Sequence, residues 1–196
     1  MQKKFGFVLF VLASFLISGC GNSTENPPSL EYGLLSETGE TYLKISNKEW
    51  AMALDLTGYE DSQVGPSNSE QFFVRQKISE DQATFTMVTP SAYSVSGVNS
   101  AEACRELEVP LIEAFMTDPD VLSNGFVFGP LNKDEYNGHL LLVYNGLGEE
   151  GEFINTVIYA FEYYDGYCFN LHLTTGIDEA NITQTSALID SMHIVK

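Results

Sequence analysis

The chain has 196 residues and a formal net charge of -18, from 9 basic and 27 acidic side chains. Nucleic acid is excluded as a partner, because neutralising phosphates requires many Lys and Arg side chains, and an anionic lipid surface should repel this body too. The length fits one domain with a proper hydrophobic core. Such acidity favours solubility, with cationic partners or divalent metals as the alternatives.

The first segment has the composition of a secretory leader. Lys3 and Lys4 precede a continuous apolar stretch, residues 5–17, which is broken only by Gly6 and Ser14. A positive start followed by such a stretch is typical of an export signal. The stretch is shorter than the roughly 20 apolar residues that a membrane-spanning helix needs.

The leader ends in Ile17-Ser18-Gly19-Cys20, which resembles the bacterial lipobox. That resemblance implies cleavage before Cys20 and attachment of diacylglycerol to its thiol. The alternatives are an ordinary secretory leader and an uncleaved buried segment. We therefore predict a lipoprotein signal peptide over residues 1–19 and a lipidated cysteine with a flexible tether over residues 20–29. The protein is then extracytoplasmic and lipid-anchored to the cell membrane, since two acyl chains hold a protein there durably.

Cleavage would remove Lys3 and Lys4, leaving 7 basic against 27 acidic residues and a mature charge of -20. Residues 30–196 are predicted to form a single globular domain. Its first half reads as an edge strand over residues 41–46, a strand or one helical turn over 50–56, a surface loop over 57–70, and strands over 71–76 and 83–89. Pro90 should end the last of these strands.

A helix follows, because Asn99 and Glu102 have the spacing of a capping box. Its apolar stripe comprises Cys104, Leu107, Leu111 and Phe115. Pro110 lies inside this pattern and should kink the helix or split it in two.

The second half reads as a β-meander over residues 125–128, 139–144, 153–164 and 167–174. Asp165-Gly166 favours a two-residue hairpin, which places Tyr164 opposite Tyr167 and Tyr159 opposite His172. Both faces of this hairpin are largely apolar, so we expect both sides of the sheet to be covered. A final helix over residues 178–192 supplies an inner stripe of Ile182, Thr185, Leu188, Ile189 and Met192.

Together these elements predict an α+β fold, a mostly antiparallel sheet sandwiched between helices. The run from Tyr159 to Leu171, YAFEYYDGYCFNL, with a helix ending in Ile189-Asp190-Ser191-Met192-His193-Ile194, resembles the close of the PsbP-like fold, an α/β/α sandwich. Extrinsic photosystem subunits, a Ran-binding import factor and many small bacterial lipoproteins share that fold. The resemblance implies a non-enzymatic binding or accessory role and transfers no functional residue.

One cluster combines aromatic rings with polar groups, as ligand pockets do. It comprises Tyr159, Phe161, Asn170 and His172, and could form a ligand or partner surface. The alternative is a core floor covered by the Cys104 helix, in which case Cys104 could reach Cys168. The two interpretations partly exclude each other, because a bridge requires the helix to cover the sheet. The cysteine count alone leaves the bridge open.

The sequence carries no recognised catalytic motif, so we predict no enzyme and no cofactor. His139, His172 and His193 are scattered and favour structural roles. The expected function is a binding or accessory domain for an unknown envelope or extracellular protein. The alternatives are an envelope hydrolase with dispersed catalytic residues, and a small-ligand or metal-binding module.

Overall fold

A computed structural model describes residues 30–61, 75–78, 85–148, 150–176 and 178–196. The predicted leader and tether lie outside the described residues. So do much of the predicted loop over 57–70 and the beginnings of the predicted strands over 71–76 and 83–89.

The described ranges form twelve strands and three helices. In chain order these are β1 (Leu30–Leu34), β2 (Thr41–Ile45), β3 (Ala51–Leu54), β4 (Glu60–Asp61), β5 (Arg75–Ile78), β6 (Phe85–Tyr93), α1 (Ala101–Met116), α2 (Pro119–Ser123), β7 (Val127–Phe128), β8 (Asn132–Tyr136), β9 (His139–Leu147), β10 (Phe153–Tyr164), β11 (Tyr167–Thr175), α3 (Glu179–Asp190) and β12 (His193–Val195).

The larger sheet has the strand order β4-β5-β6-β11-β10-β9-β7, with β8 also paired to β9. Every described pairing in it is antiparallel. Helix α1 lies on one face of this sheet, and the smaller sheet and α3 lie on the other. The predicted α+β class, an antiparallel sheet between helices, is confirmed.

The smaller sheet was not predicted. It has the order β1-β2-β3-β12, so the last strand of the chain pairs with the third. Its inner face packs against the larger sheet through buried aliphatic side chains, among them Leu43, Met52, Leu171, Leu173 and Leu188. Strand β2 therefore lies inside a sheet, which corrects the predicted edge strand. The alternation of β2 arises because one face meets this core.

The hairpin of β10 and β11 has the predicted register. Tyr164 pairs with Tyr167 and Tyr159 with His172. Asp165 and Gly166 both have positive φ, at 48° and 87°, as a type I′ turn requires. Because side chains alternate between faces, this turn decides which residues meet α1 and which meet the smaller sheet.

Helix α1 is continuous through Pro110, so the predicted split into two shorter helices does not occur. Pro110 is exposed, while the buried stripe of Cys104, Glu108 and Ile112 runs past it along the sheet-facing side. Packing along that stripe outweighs the one backbone hydrogen bond that proline removes. The N-cap is Ser100, whose hydroxyl accepts a hydrogen bond from the Ala103 amide at 3.1 Å.

The inner stripe of helix α3 contains the predicted Thr185, Leu188 and Ile189 but not the predicted Ile182. Ile182 is 57% exposed, and Asn181 takes the buried position instead. The Asn181 side-chain oxygen accepts a hydrogen bond from the Phe85 amide at 2.8 Å, which ties the start of α3 to β6. A Cβ at Gly176 would clash with the Asn181 side-chain amide, so a larger residue there would displace that side chain.

One further sequence prediction was wrong. Strand β6 continues through Pro90 to Tyr93. Pro90 lies beyond the described pairing with β5, and β11 is its one described neighbour there.

A polar contact locks the β10–β11 turn to the smaller sheet. The Asp165 carboxylate accepts a hydrogen bond from Trp50 Nε1 at 2.9 Å and lies 2.8 Å from Lys48 Nζ. These contacts keep the pKa of Asp165 below its usual value. Trp50 packs edge-on against Tyr164 and Phe169, with ring centroids 5.0 and 5.7 Å apart.

We expect Asp165→Ala to lower the thermal midpoint more than Asp165→Asn. Alanine loses the acceptor for Trp50 and is strained at positive φ, whereas asparagine keeps an acceptor and tolerates that conformation. Thermal unfolding followed by Trp50 fluorescence measures both variants. Equal thermal midpoints for the two variants would show that the contact between Asp165 and Trp50 does not hold the turn.

Candidate functional site

The predicted Tyr159 surface is covered by α1. Tyr159, Phe161 and Asn170 are 5%, 0% and 6% exposed, and the two aromatic residues pack with buried residues of α1 and β9 in one cluster. The prediction of an open ligand or partner surface at these residues is therefore corrected. The physical reason is that α1 buries its own apolar stripe there, and the hairpin offers it a complementary aromatic floor.

Cys104 on α1 and Cys168 on β11 form a disulfide, with their Cα atoms 5.7 Å apart. Both residues are almost fully buried, at 0% and 1% exposure. The bridge joins the helix directly to the sheet and closes a loop with a sequence separation of 64. In the chain-entropy description, closing such a loop stabilises the fold by about 4 kcal/mol.

Glu108 is the unexpected member of the helix stripe. It lies one turn after Cys104 and is only 5% exposed. Burial raises the pKa of its carboxyl group above the usual value, and the Tyr93 hydroxyl beside it partly opposes that rise. The same burial raises the pKa of Tyr93. The Tyr93 hydroxyl has no hydrogen bond of regular geometry, so the contact is a proximity rather than a bond.

The buried polar groups continue across the sheet from Glu108 and Tyr93 to Tyr144, Tyr159 and His172. We call these five residues the polar seam. Burial raises the pKa of Tyr144 and Tyr159, whose hydroxyl groups interact with each other. The imidazole of the half-buried His172 stacks on the Tyr159 ring with centroids 4.5 Å apart. Desolvation lowers the pKa of His172 to about 4, so it is neutral at physiological pH.

The seam is chemically unusual but closed. Burial raises the pKa of its carboxyl group, its histidine is neutral, and α1 separates its buried tyrosines from solvent. The sequence could have signalled Glu108, because a position four residues after a buried Cys104 shares its helix face.

The three histidines lie in different surroundings. His139 Nδ1 is 2.8 Å from the Glu162 carboxylate on the neighbouring strand, and His193 Nδ1 lies 2.8 Å from the Ser191 carbonyl oxygen. His172 is stacked beneath α1 as described. None of the three contacts a serine hydroxyl within the described ranges, so the arrangement that would favour a dispersed hydrolase is not formed there.

An open groove of about 870 Å³ runs along α3 on the other side of the molecule. This helix groove, as we call it, has one wall made by residues at helical spacing: Glu179, Ala180, Thr183, Gln184, Ala187 and Leu188. That spacing shows that the groove follows the length of the helix rather than one end of it. Its volume lies within the range of small-ligand and peptide sites.

The opposite wall of the helix groove is formed by the turn after β3, with Asp55, Thr57 and Tyr59, and by Lys77 of β5. The Asp55 amide donates to the Ser191 hydroxyl at 3.0 Å, which places this carboxylate near the end of α3. Hydrogen bonds from Thr57 lower the pKa of Asp55, so it is ionised at neutral pH. Burial raises the pKa of Tyr59 to about 12, so its hydroxyl is neutral.

Asp178 closes the beginning of the groove and caps α3. Its two carboxylate oxygens accept from the Asn181 amide at 2.9 Å and from the Asn181 side chain at 2.6 Å. Glu179 follows it and is exposed. The groove therefore carries carboxylates at both ends. Sequence reasoning missed this site because its two walls are more than 100 residues apart in the chain.

In the part of the chain that the structure describes, no group of three or more metal-ligating side chains comes together. No helix in those ranges is both long and apolar enough to cross a bilayer.

Reduction of the disulfide should lower the free energy of unfolding by about 4 kcal/mol. The double variant Cys104→Ala/Cys168→Ala should show the same loss and no further response to reductant. Urea unfolding with and without dithiothreitol measures this. A wild-type chain that is insensitive to reductant would contradict the bridge.

His172→Phe should flatten the dependence of stability on pH between about 6.5 and 4. Because the pKa of folded His172 is depressed, its stabilising contribution is complete above pH 6.5 and is lost as the pH falls toward 4. The difference is up to about 3 kcal/mol. Phenylalanine keeps the stacking on Tyr159 without titrating. Urea unfolding at several pH values measures it, with the exposed His193→Gln as control; identical wild-type and His172→Phe profiles would refute the assignment.

Comparison with known proteins gave a likeness among solved structures. No family model and no curated protein matches the chain. The solution structure of cyanobacterial PsbP (CyanoP) from Synechocystis sp. PCC 6803 is similar to it, with 14% sequence identity and a TM-score of 0.43. The match covers 89% of this chain and 98% of that one. At this level the likeness carries no argument about function, and the functional residues must be judged from the geometry alone.

Proposed function

We propose that this protein is an exported lipoprotein, anchored through Cys20, whose domain serves as a non-catalytic binding module at the cell surface or in the envelope. The observation that carries the export half of this proposal is the buried Cys104–Cys168 disulfide. Structural disulfides persist in oxidising compartments and are rare in a reducing cytosol. The leader and lipobox in the sequence point to the same side of the membrane.

The binding half of the proposal is supported by how the polar groups are distributed. The aromatic and titratable groups that could do chemistry are sealed beneath α1, whereas the open helix groove is lined by carboxylates, small side chains and one lysine. A site of this composition recognises charge and shape. The accessory role that the resemblance to the PsbP-like fold implies is part of this proposal. The proposed partner is an envelope or extracellular protein.

Cys20→Ser should abolish lipid attachment while leaving the domain folded. We expect the wild-type chain, expressed with its leader in bacteria, to incorporate labelled palmitate and enter the detergent phase on phase separation. The Cys20→Ser variant should stay unlabelled and keep the same circular dichroism.

The matched control is Cys104→Ala/Cys168→Ala, which should retain the lipid because its cysteines play no part in anchoring. An unlabelled wild-type chain, or equal labelling of wild type and Cys20→Ser, would refute anchoring at this cysteine.

A further inference from the structure

We infer that the helix groove binds an extended, lysine-containing peptide segment of a partner protein. This inference deepens the proposed binding function and rests on it. Four observations carry it: the charges at the ends of the groove, its length, its apolar floor, and a lysine of this chain that already occupies part of it.

The charge of the groove favours a cation. Among the described residues that line it, Asp55, Asp178 and Glu179 face the one cation of Lys77. The hydrogen bonds that cap α3 use Asp178, which leaves Glu179 and the ionised Asp55 to meet a ligand. The carbonyl end of the α3 dipole lies toward Asp55 and adds negative potential there. An anionic or nucleic-acid ligand is opposed by the same charges.

Lys77 shows which cation this groove accepts. Its Nζ atom lies 5.6 Å from the centre of the Tyr59 ring, and its aliphatic stem passes 3.7 Å from where a Cβ of Gly58 would stand. The same ammonium group lowers the pKa of Asp55. An aromatic face and a carboxylate thus lie beside the ammonium group of Lys77, whose side chain is exposed.

The dimensions fit a peptide better than a small ion. From Glu179 to Leu188 the helix wall is about 14 Å long, which matches about four residues of extended chain. Ala180, Ala187 and Leu188 provide an apolar lining between the charged ends. Metal binding is disfavoured because the carboxylates lie apart, and in the described ranges they form no metal-ligating group.

The test measures binding of a fluorescent peptide of about five residues, alternating lysine with alanine, to the full lipidated chain in micelles of a zwitterionic detergent. Fluorescence anisotropy at low salt gives the dissociation constant. Glu179→Lys should weaken binding about tenfold. Glu113→Lys makes the same charge change on α1, on the far side of the larger sheet, and should change binding less than about twofold.

Two further variants test the groove itself. Ala187→Trp fills it without changing the charge and should weaken binding about tenfold. Lys77→Gln removes the lysine of this chain that would compete with a peptide lysine for Tyr59 and Asp55, and should tighten binding. A peptide alternating glutamate with alanine should not bind. Circular dichroism and thermal unfolding confirm that each variant is folded.

Three results would overturn the inference. Equal weakening by Glu179→Lys and Glu113→Lys would show only general attraction to an acidic protein. Weaker binding of the lysine peptide by Lys77→Gln would contradict a cation site in which Lys77 competes with the peptide. Spermine binding in place of the lysine peptide would assign the groove to small polyamines. None of these results bears on lipid attachment, so the palmitate measurement separates failure of the anchor from failure of the groove.

Discussion

The two apolar faces of the β10–β11 hairpin are the constraint on which the rest of the structure depends. A sheet that is apolar on both sides must be covered on both sides. Helix α1 covers one face, and the smaller sheet with α3 covers the other. The Asp165 turn and its contacts with Trp50 and Lys48 then fix the position of the hairpin against the smaller sheet.

This double covering decides where function can lie. The residues with the richest chemistry, including Glu108, Tyr159 and His172, stand on the face that α1 covers. Their altered pKa values are consequences of burial, which is why perturbed titration alone does not identify an active site here. The open groove lies instead on the other face, between α3 and the turn after β3.

The local patterns of the sequence predicted the hairpin register, both main helices and the α+β class, because turn chemistry and periodicity are properties of neighbouring residues. The smaller sheet escaped prediction because β12 pairs with β3 across most of the chain. The same reason hid the groove, whose Asp55 and Glu179 meet only in the folded protein. The burial of Glu108 escaped prediction for another reason. A charged residue next to an apolar stripe is normally interpreted as lying at the exposed edge of that stripe.

The pairing of β12 with β3 also determines when the smaller sheet can be completed during folding. Residues 193–195 are the last strand of the smaller sheet, and its other three strands come from the first third of the described chain. A chain synthesised from its amino end therefore delivers β1 to β3 early, with one border strand missing until β12 has been made. Such sequence-distant pairing slows folding, so the nascent domain carries an unpaired strand edge until its carboxyl end is free to pair.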